Sequence, residues 1–278
     1  MEPKDLQKEP IVIESRCCSS VSDRPTTIEF LGGIVFVILI RVFQIKLDMK
    51  TIESFPNLTS QKDSIKSEFK AFINHPLFPC VAAKAALKRE QMRLFVAGHI
   101  ACPKDDQEIL EFIYSFVDEY RSAETPFHTA CVIFPYIDGI NEMTFESFMW
   151  MRLQALSDLD AKNYDYDNRV SPDPESEQFS FSLKEEAFFV IGLNPFSNRM
   201  ARRFKYPAIV FNPHEQFEEL RNLNRYEKMK NIVRKRDVEL SGSINPMLKD
   251  FGTDSEVYQY SGVQYDNDWQ CPFKRKRL

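Results

Sequence analysis

RFKYPAIVFNPHEQFEELR, at Arg203–Arg221, is the stretch that decides how this chain folds. Its apolar residues Ala208–Phe211 predict a short buried strand. The strand leads through Asn212 and Pro213 into a helical pattern with His214 in its first turn. We therefore expect Asn212 to cap this helix and Pro213 to occupy its first position. This mixture of apolar and polar residues is more typical of residues that line a binding site than of residues that only support the fold.

Two further segments contain the kinds of side chain that line a site. They read GSINPML at Gly242–Leu248 and YQYSGVQYDNDWQCPF at Tyr258–Phe273. Asn, Gln, Tyr, Trp and Cys occur there in segments that are too polar for an ordinary core. We expect both segments to contribute to a site.

Helical and strand patterns alternate irregularly along the rest of the chain. The predicted strands Phe179–Phe181 and Ala187–Gly192 flank Lys184-Glu185-Glu186 and predict a hairpin. The other predicted elements are strands at Met92–Ala97 and Thr129–Phe134 and helices at Ser64–Ile73, Val81–Glu90, Asp106–Arg121, Thr144–Leu159 and His214–Asp237, the last broken near Asn222–Asn224. This order indicates a single α+β domain with a mixed or antiparallel sheet flanked by helices.

Length and composition predict one large domain with an extension at each end. The chain has 278 residues, of which 24 are Phe, and buried aromatic rings provide a large core. We expect a disordered, hydrophobic extension at 1–56, the domain at 57–273 and a solvated basic tail at 274–278. The formal net charge of −5 gives no overall basic field, so we expect no nucleic-acid partner.

The N-terminal extension contains the apolar run FLGGIVFVILI at Phe30–Ile40. A membrane-spanning helix needs about 20 apolar residues, and Arg41 interrupts this run. Three interpretations stay open: a signal anchor, a hydrophobic targeting segment, or sequence that is absent from the mature protein. Membrane association through residues 30–47 is therefore an expectation.

Cysteine spacing and missing motifs exclude several common classes of protein. Six cysteines occur, at positions 17, 18, 80, 102, 131 and 271, and none has the C-x₂-C spacing of a zinc site. A chain of this length needs no disulfides, so we expect reduced thiols and a cytoplasmic protein. The chain also lacks G-x-S-x-G, P-loop, G-x-G-x-x-G and H-E-x-x-H signatures.

Four side chains could hold a cofactor or an acidic ligand. His214 is the candidate metal ligand or acid/base, because a neutral imidazole can bind a metal through one nitrogen while a polar neighbour holds the other. Arg199, Arg202 and Arg203 could each bind a carboxylate with a bidentate fork. The alternatives are a capped helix start and a solvated charged loop.

Five separated blocks of the chain together resemble the YqcI/YcgG family. In order, they are HPLFPCVAAKAA (His75–Ala86), FSFSLKEEAFFVIGLNPFSNRMARRF (Phe179–Phe204), FNPHEQFEELR (Phe211–Arg221), RDVELSGSINPML (Arg236–Leu248) and QYSG…DWQCPF (Gln259–Phe273). Some members of this family are haem-dependent enzymes that hydroxylate a nitrogen of guanidino compounds such as arginine.

The resemblance implies a haem-dependent oxygenase that hydroxylates a nitrogen of a small guanidino substrate and needs an electron donor. His214 would be the axial iron ligand, and Arg199, Arg202 and Arg203 would hold the cofactor. The substrate pocket would be lined by Asn212, Glu215, Asn245, Tyr260 and Trp269.

Two positions depart from the family pattern and keep other interpretations open. Family sequences often have histidine where this chain has Ser157 and Asn194, and Ser and Asn are poor haem ligands. The alternative is a non-catalytic haem-binding or small-molecule-binding protein of the same fold that has lost the chemistry. A third interpretation is an interaction protein with its apolar N-terminal segment at a membrane and its basic tail on a partner.

Overall fold

A five-stranded sheet organises this protein in a computed structural model that describes residues 58–125, 127–136, 139–245, 247, 254–266 and 268–276. All of these residues belong to one compact unit, Pro56–Leu278. The predicted N-terminal extension and its apolar segment 30–47 lie outside the described residues. Within the described ranges, no helix has both the length and the apolar character that crossing a membrane requires.

The strands are short and most of the helices are longer. The strands are β1 (Met92–Val96), β2 (Thr129–Ile133), β3 (Phe181–Leu183), β4 (Glu186–Leu193) and β5 (Ala208–Pro213). The helices are α1 (Leu58–Asn74), α2 (Val81–Lys88), α3 (Asp106–Arg121), α4 (Glu142–Asp160), α5 (Glu215–Asn222), α6 (Tyr226–Ser241) and α7 (Val257–Tyr260). Short 3-10 helices occur at Pro103–Asp105 and Met200–Arg202.

The sheet is mixed, with the strand order β1-β2-β5-β4-β3. β1 and β2 pair in parallel, whereas β2–β5, β5–β4 and β4–β3 are antiparallel. The predicted hairpin is the β3–β4 pair. The prediction of a single α+β domain with a mixed sheet flanked by helices is confirmed.

Strand β5 separates two hydrophobic cores, because successive side chains of a strand point to opposite faces of the sheet. Ile209 and Phe211 belong to the core that packs against α3 and α4. Ala208 and Val210 belong to the core that packs against α1 and α2. The two cores are called here the α3–α4 core and the α1–α2 core.

Helical periodicity predicted the amphipathic helices, although α1 begins at Leu58, before the predicted start at Ser64. Helix α3 has the predicted bounds, and one face of it buries Ile109, Leu110, Ile113, Phe116 and Val117. The predicted helix His214–Asp237 is two helices, α5 and α6, and Asn224 lies between them with a φ of 55°. The predicted break near Asn222–Asn224 is therefore confirmed.

Asn212 does not cap the helix that follows it, so this prediction is wrong. Strand β5 continues through Pro213 in register with β4, and the backbone N–H of His214 then donates to the Ala187 carbonyl at 2.8 Å. The helix begins at Glu215, with His214 at its N-cap and no side-chain cap. The pairing of β5 with β4 therefore determines the backbone at these positions, and Pro213 ends the strand instead of starting the helix.

Arg275 of the basic C-terminal segment packs at the end of α4, whereas Lys274 and Lys276 are exposed, as a solvated tail predicts. Arg275 Nη1 donates to the carbonyl and hydroxyl oxygens of Ser157 at 3.0 and 3.1 Å, and its Nη2 donates to the Tyr164 carbonyl at 3.1 Å. Lys274 and Gln154 exchange two hydrogen bonds, at 2.8 and 2.9 Å.

The backbone of the turn between β3 and β4 is strained, and a substitution there can stabilise the protein. Lys184 and Glu185 both have a φ of 53°. Two-residue hairpin loops of this kind favour glycine because a Cβ is strained at positive φ. We expect Glu185→Gly to raise the free energy of unfolding by about 0.5–1 kcal/mol, after the entropy that Gly adds to the unfolded chain is subtracted. Thermal unfolding measures this as a higher Tm.

Glu185→Ala is the control for this variant, because it removes the carboxylate and keeps the Cβ. We expect no increase of Tm for Glu185→Ala. If both variants raise Tm equally, the charge of Glu185 and not its backbone conformation is the cause.

Candidate functional site

A cavity of about 300 Å³ lies on the α1–α2 face of the sheet, and it is called here the inner cavity. Strands β2, β4 and β5 form its floor, and helices α1, α2, α5 and α6 contribute to its walls. Charged and amide side chains are also present in the lining; they include Arg199, Arg202, Asn212, Gln216, Arg221, Lys230, Asp237, Asn245, Asp254, Glu256 and Gln259.

The floor of the inner cavity is apolar because alternate residues of the three strands face it. Cys131, Ile191 and Val210 line the cavity. Their chain neighbours Val132 and Val190 point to the other face and belong to the α3–α4 core. The floor can therefore contact the apolar part of a ligand.

Arg202 lines the inner cavity, and backbone carbonyls hold its guanidinium. Nη1 donates to the carbonyls of Tyr260 and Gly192 at 2.8 and 3.2 Å, and Nη2 donates to the Gln259 carbonyl at 2.5 Å. Within the described ranges, all of its hydrogen-bond partners are carbonyl oxygens and none is a carboxylate. Burial lowers the pKa of Arg202 to about 10, so the guanidinium stays positively charged at neutral pH.

Arg199 also lines the cavity, but a carboxylate matches its charge. Its Nη2 lies 2.5 Å from Asp237 Oδ2, and it donates to the hydroxyl and carbonyl oxygens of Ser243 at 3.2 and 2.7 Å. These contacts attach the segment that contains Arg199 to the C-terminal end of α6. Arg199 therefore has a structural partner that Arg202 lacks.

Amide side chains join the floor to neighbouring backbone. Asn212 Nδ2 donates to the Phe189 carbonyl at 3.2 Å, and its Oδ1 accepts from Thr129 Oγ1 at 3.0 Å. Gln216 Nε2 donates to the His128 carbonyl at 3.2 Å. These bonds fix the side chains in the cavity wall, which favours a preformed site.

His214 is buried but is not among the residues that line the inner cavity. Its Nδ1 lies 3.4 Å from Ser180 Oγ and 3.6 Å from Glu256 Oε1, and its Nε2 lies 3.3 Å from Glu218 Oε1. An axial haem ligand needs one ring nitrogen that faces open space. Both nitrogens of His214 face polar groups, so this ring does not fit axial ligation.

Of the other three histidines, His128 lines the inner cavity and His75 and His99 do not. His75 and His99 lie outside its lining, and their Nδ1 atoms accept backbone N–H groups at 3.3 and 3.1 Å. His128 lines the cavity; its Nε2 lies 2.9 Å from the amide nitrogen of Gln91, and its buried Nδ1 has no hydrogen-bond partner within the described ranges. Burial lowers the pKa of His128, so its imidazole is neutral at pH 7.

The thiols are also poor haem ligands. Cys80 lines the cavity, and its Sγ accepts from the Ala83 N–H at 3.4 Å as the N-cap of α2. Burial raises the pKa of Cys80, and it raises the pKa of Cys271 to about 12. Both cysteines are therefore neutral thiols at pH 7, and a bound metal would have to displace the thiol proton. Within the described ranges, no group of three or more His, Cys, Asp or Glu could hold a metal ion.

The two positions where family sequences often have histidine are also occupied by partnered side chains. Ser157 Oγ accepts from Arg275 Nη1 at 3.1 Å, and Asn194 Oδ1 accepts from the Phe196 N–H at 2.9 Å. Both residues are buried, and neither lines the inner cavity. Ser157 and Asn194 therefore do not supply a haem ligand, and haem remains a prediction from the resemblance.

The structure brings four of the predicted site residues together in the inner cavity and places others elsewhere. Arg203 is exposed, and its Nε donates to the Ser197 carbonyl at 2.9 Å. Tyr260 is buried in the α3–α4 core, and Trp269 stacks on Tyr265 with ring centroids 3.8 Å apart. The four that line the cavity are Arg199, Arg202, Asn212 and Asn245.

Glu215 lines a second, open depression of about 800 Å³, called here the acidic cleft. Arg169 bridges three carboxylates of this cleft, those of Asp167, Glu186 and Glu215. Burial opposes ionisation of Asp167, but hydrogen bonds from Arg169 and from the Ala187 N–H outweigh it and lower the pKa of Asp167. The ion pairs of Arg169 connect the loop before β3 to strand β4 and helix α5.

The sequence did not identify Glu256 as a site residue. Glu256 lines the cavity, and its Oε2 accepts from Ser180 Oγ at 3.0 Å and from the Tyr260 hydroxyl at 3.2 Å. Gln259 lies three residues further along, so the two share a face of α7. The three-residue spacing of Glu256 and Gln259 could have indicated that both face the same site. A helix of four residues is, however, too short to be predicted from periodicity.

The fold and the cavity define a class of protein: an α+β domain with a small, mostly apolar cavity against one face of a mixed sheet. The chain belongs to the YqcI/YcgG family, whose profile matches residues 69–274. The matched span contains all five strands and every residue that lines the inner cavity.

Two relatives of this chain are known from Bacillus subtilis (strain 168). The uncharacterized protein YqcI is 26% identical over 212 residues, which are 72% of this chain and 82% of the relative. The uncharacterized protein YcgG is 23% identical over 206 residues, which are 70% of this chain and 80% of the relative. No solved structure matches the chain.

Gly262 provides the space in which Arg202 lies. Its φ is 86°, and a Cβ at this position would lie 2.6 Å from Arg202 Cδ. We expect Gly262→Ala to lower the free energy of unfolding by about 3 kcal/mol, because backbone strain and a steric clash add together. Urea unfolding measures this change.

Gly242→Ala is the matched control. Gly242 has a φ of 76°, and a Cβ there would meet no heavy atom within 4 Å. Its substitution should cost about 1 kcal/mol from backbone strain alone. Equal losses in the two variants would contradict the close approach of Arg202 to Gly262.

Proposed function

We propose that this protein is a non-catalytic, small-molecule-binding member of its family and that the ligand binds in the inner cavity. One observation supports this most directly: the cavity has an apolar floor, and charged and amide groups lie in its wall. Pockets for small ligands usually combine apolar walls with a few polar groups that orient the ligand. The volume of about 300 Å³ is at the lower end of the range for such pockets, so the ligand is small.

The polar groups of the cavity are held in place before a ligand binds. Asn212 and Gln216 are fixed by hydrogen bonds to backbone and side-chain groups. Such preorganisation reduces the loss of side-chain entropy on binding. Guanidino compounds are among the ligands to test, because the carboxylates of Asp254 and Glu256 line the cavity.

A haem-dependent N-hydroxylase of a guanidino compound is the second candidate function. The observation that favours it is that Arg199 and Arg202, two of the arginines assigned to the cofactor by resemblance, line one cavity. Haem would supply the oxygen chemistry when bound. The contacts of His214 with Glu218 and Glu256 count against this candidate.

Binding in the inner cavity can be tested with the neutral fluorescent probe N-phenyl-1-naphthylamine. Val210 lines the floor, so Val210→Phe should fill the cavity and weaken probe binding by about tenfold or more. A fluorescence titration of the full chain measures the affinity. Val238→Phe is the matched control, since Val238 is 40% exposed on α6 and does not line the cavity, and it should bind as the wild type does.

A wild-type protein that does not enhance the fluorescence of the probe would refute binding in this cavity. Equal affinity in Val210→Phe and the wild type would place the probe at another site.

Haem reconstitution separates the two candidate functions. We expect no Soret band that depends on His214, because both nitrogens of this ring face polar groups. The measurement is an absorption spectrum of the full chain with haem supplied, compared with that of His214→Ala. A Soret band in the wild type that His214→Ala abolishes would instead support the haem-dependent enzyme.

A further inference from the structure

Within the described ranges, each cationic side chain that lines the inner cavity pairs with a carboxylate, with one exception. Three of its cationic side chains each form an ion pair with a carboxylate. These pairs are Arg199–Asp237, Arg221–Glu218 and Lys230–Glu227. Arg202 is the fourth cation of the lining, and its hydrogen-bond partners within the described ranges are backbone carbonyls.

Carbonyl groups orient the guanidinium of Arg202 but do not neutralise it. A guanidinium has five N–H groups, and three hydrogen bonds to carbonyls are present here. Nε and Nη2 share one edge of the group, the edge that can bind the two oxygens of a carboxylate side by side. A Cβ at position 262 would lie 2.6 Å from Cδ, 3.1 Å from Nε and 3.2 Å from Nη1, so glycine makes room for the arginine side chain itself.

The carboxylates of the cavity differ from Arg202 because they already have donors. Glu256 accepts from Ser180 Oγ and from the Tyr260 hydroxyl, and its Oε1 lies 3.6 Å from His214 Nδ1. Asp254 Oδ1 accepts from the Ser255 N–H at 2.9 Å. Arg202 has no carboxylate among its hydrogen-bond partners within the described ranges, so a bound carboxylate would supply one.

We propose that the inner cavity takes a monocarboxylate with an apolar body, and that Arg202 binds the carboxylate while the floor of Cys131, Ile191 and Val210 contacts the apolar body. This inference rests on the proposed function and names the chemical class of its ligand. The apolar floor favours a ligand with an apolar part, because a polar group placed against it would lack a partner.

The pKa of Arg202 supports the assignment. Burial lowers this pKa to about 10, which still leaves the guanidinium charged at neutral pH. A buried cation without a counter-ion reduces stability. A bound carboxylate would supply the counter-ion, so ligand binding should also raise Tm.

A series of three ligands of equal chain length tests the charge preference. Octanoate, octan-1-ol and octylamine differ in the head group and share the apolar chain. Each is titrated into the full-length protein with N-phenyl-1-naphthylamine bound, and displacement of the probe is followed by fluorescence. We expect octanoate to bind about tenfold more tightly than octan-1-ol, because a hydrogen bond between charged groups contributes that much, and octylamine to bind least.

The result distinguishes this inference from the proposed function. If the neutral probe does not bind at all, the proposed function fails. If the probe binds but octan-1-ol or octylamine displaces it as well as octanoate does, the cavity is a binding site and the carboxylate assignment is wrong.

Two arginine variants locate the carboxylate. Arg202→Gln should remove the advantage of octanoate over octan-1-ol, whereas Arg203→Gln should keep it. Arg203 is a matched control because it is the next residue, is exposed and does not line the cavity. An unchanged octanoate preference in Arg202→Gln would overturn the assignment of Arg202. If Arg202→Gln does not fold, as judged by circular dichroism, the ligand series on the wild type decides the question.

Discussion

The pairing of β5 on both of its sides is the constraint on which the rest of the structure depends. Ala208–Phe211 pairs with β2, and Ala208–Pro213 pairs with β4. Because side chains alternate along a strand, this register sends Phe211 into the α3–α4 core and Val210 to the floor of the inner cavity. A shift by one residue would exchange the two faces. The same strand therefore determines both the packing of the fold and the chemistry of the cavity.

Arg152 and Arg202 have different kinds of hydrogen-bond partner. Arg152 and Asp106 form a buried ion pair, and the Ile100 carbonyl accepts a further hydrogen bond from Arg152 at 2.8 Å. Arg202 is held by carbonyls alone, and it lines a cavity. Real proteins tend to break local rules of stability where function requires it. Arg152 already has a carboxylate partner within the protein, whereas Arg202 has none among its hydrogen-bond partners within the described ranges. Arg202 is therefore the better candidate for binding a ligand.

Membership of the YqcI/YcgG family does not determine the chemistry of this chain. The family match spans the sheet and the cavity. The side chains at Ser157, Asn194 and His214 do not form a haem ligand set in this structure, because each has a polar partner. A shared fold can carry different functions, since function depends on the residues of the site.

The sequence by itself determined the class of fold, the amphipathic helix α3, the hairpin and the break between α5 and α6, because these follow from local periodicity and turn residues. It also singled out Arg199, Arg202, Asn212 and Asn245, which share one cavity. The tertiary structure alone decided that Asn212 belongs to a strand, that Glu256 lines the cavity and that Tyr260 is core. The physical reason is that strand pairing and the direction of side chains depend on partners far away in the sequence, and local patterns contain no information about those partners.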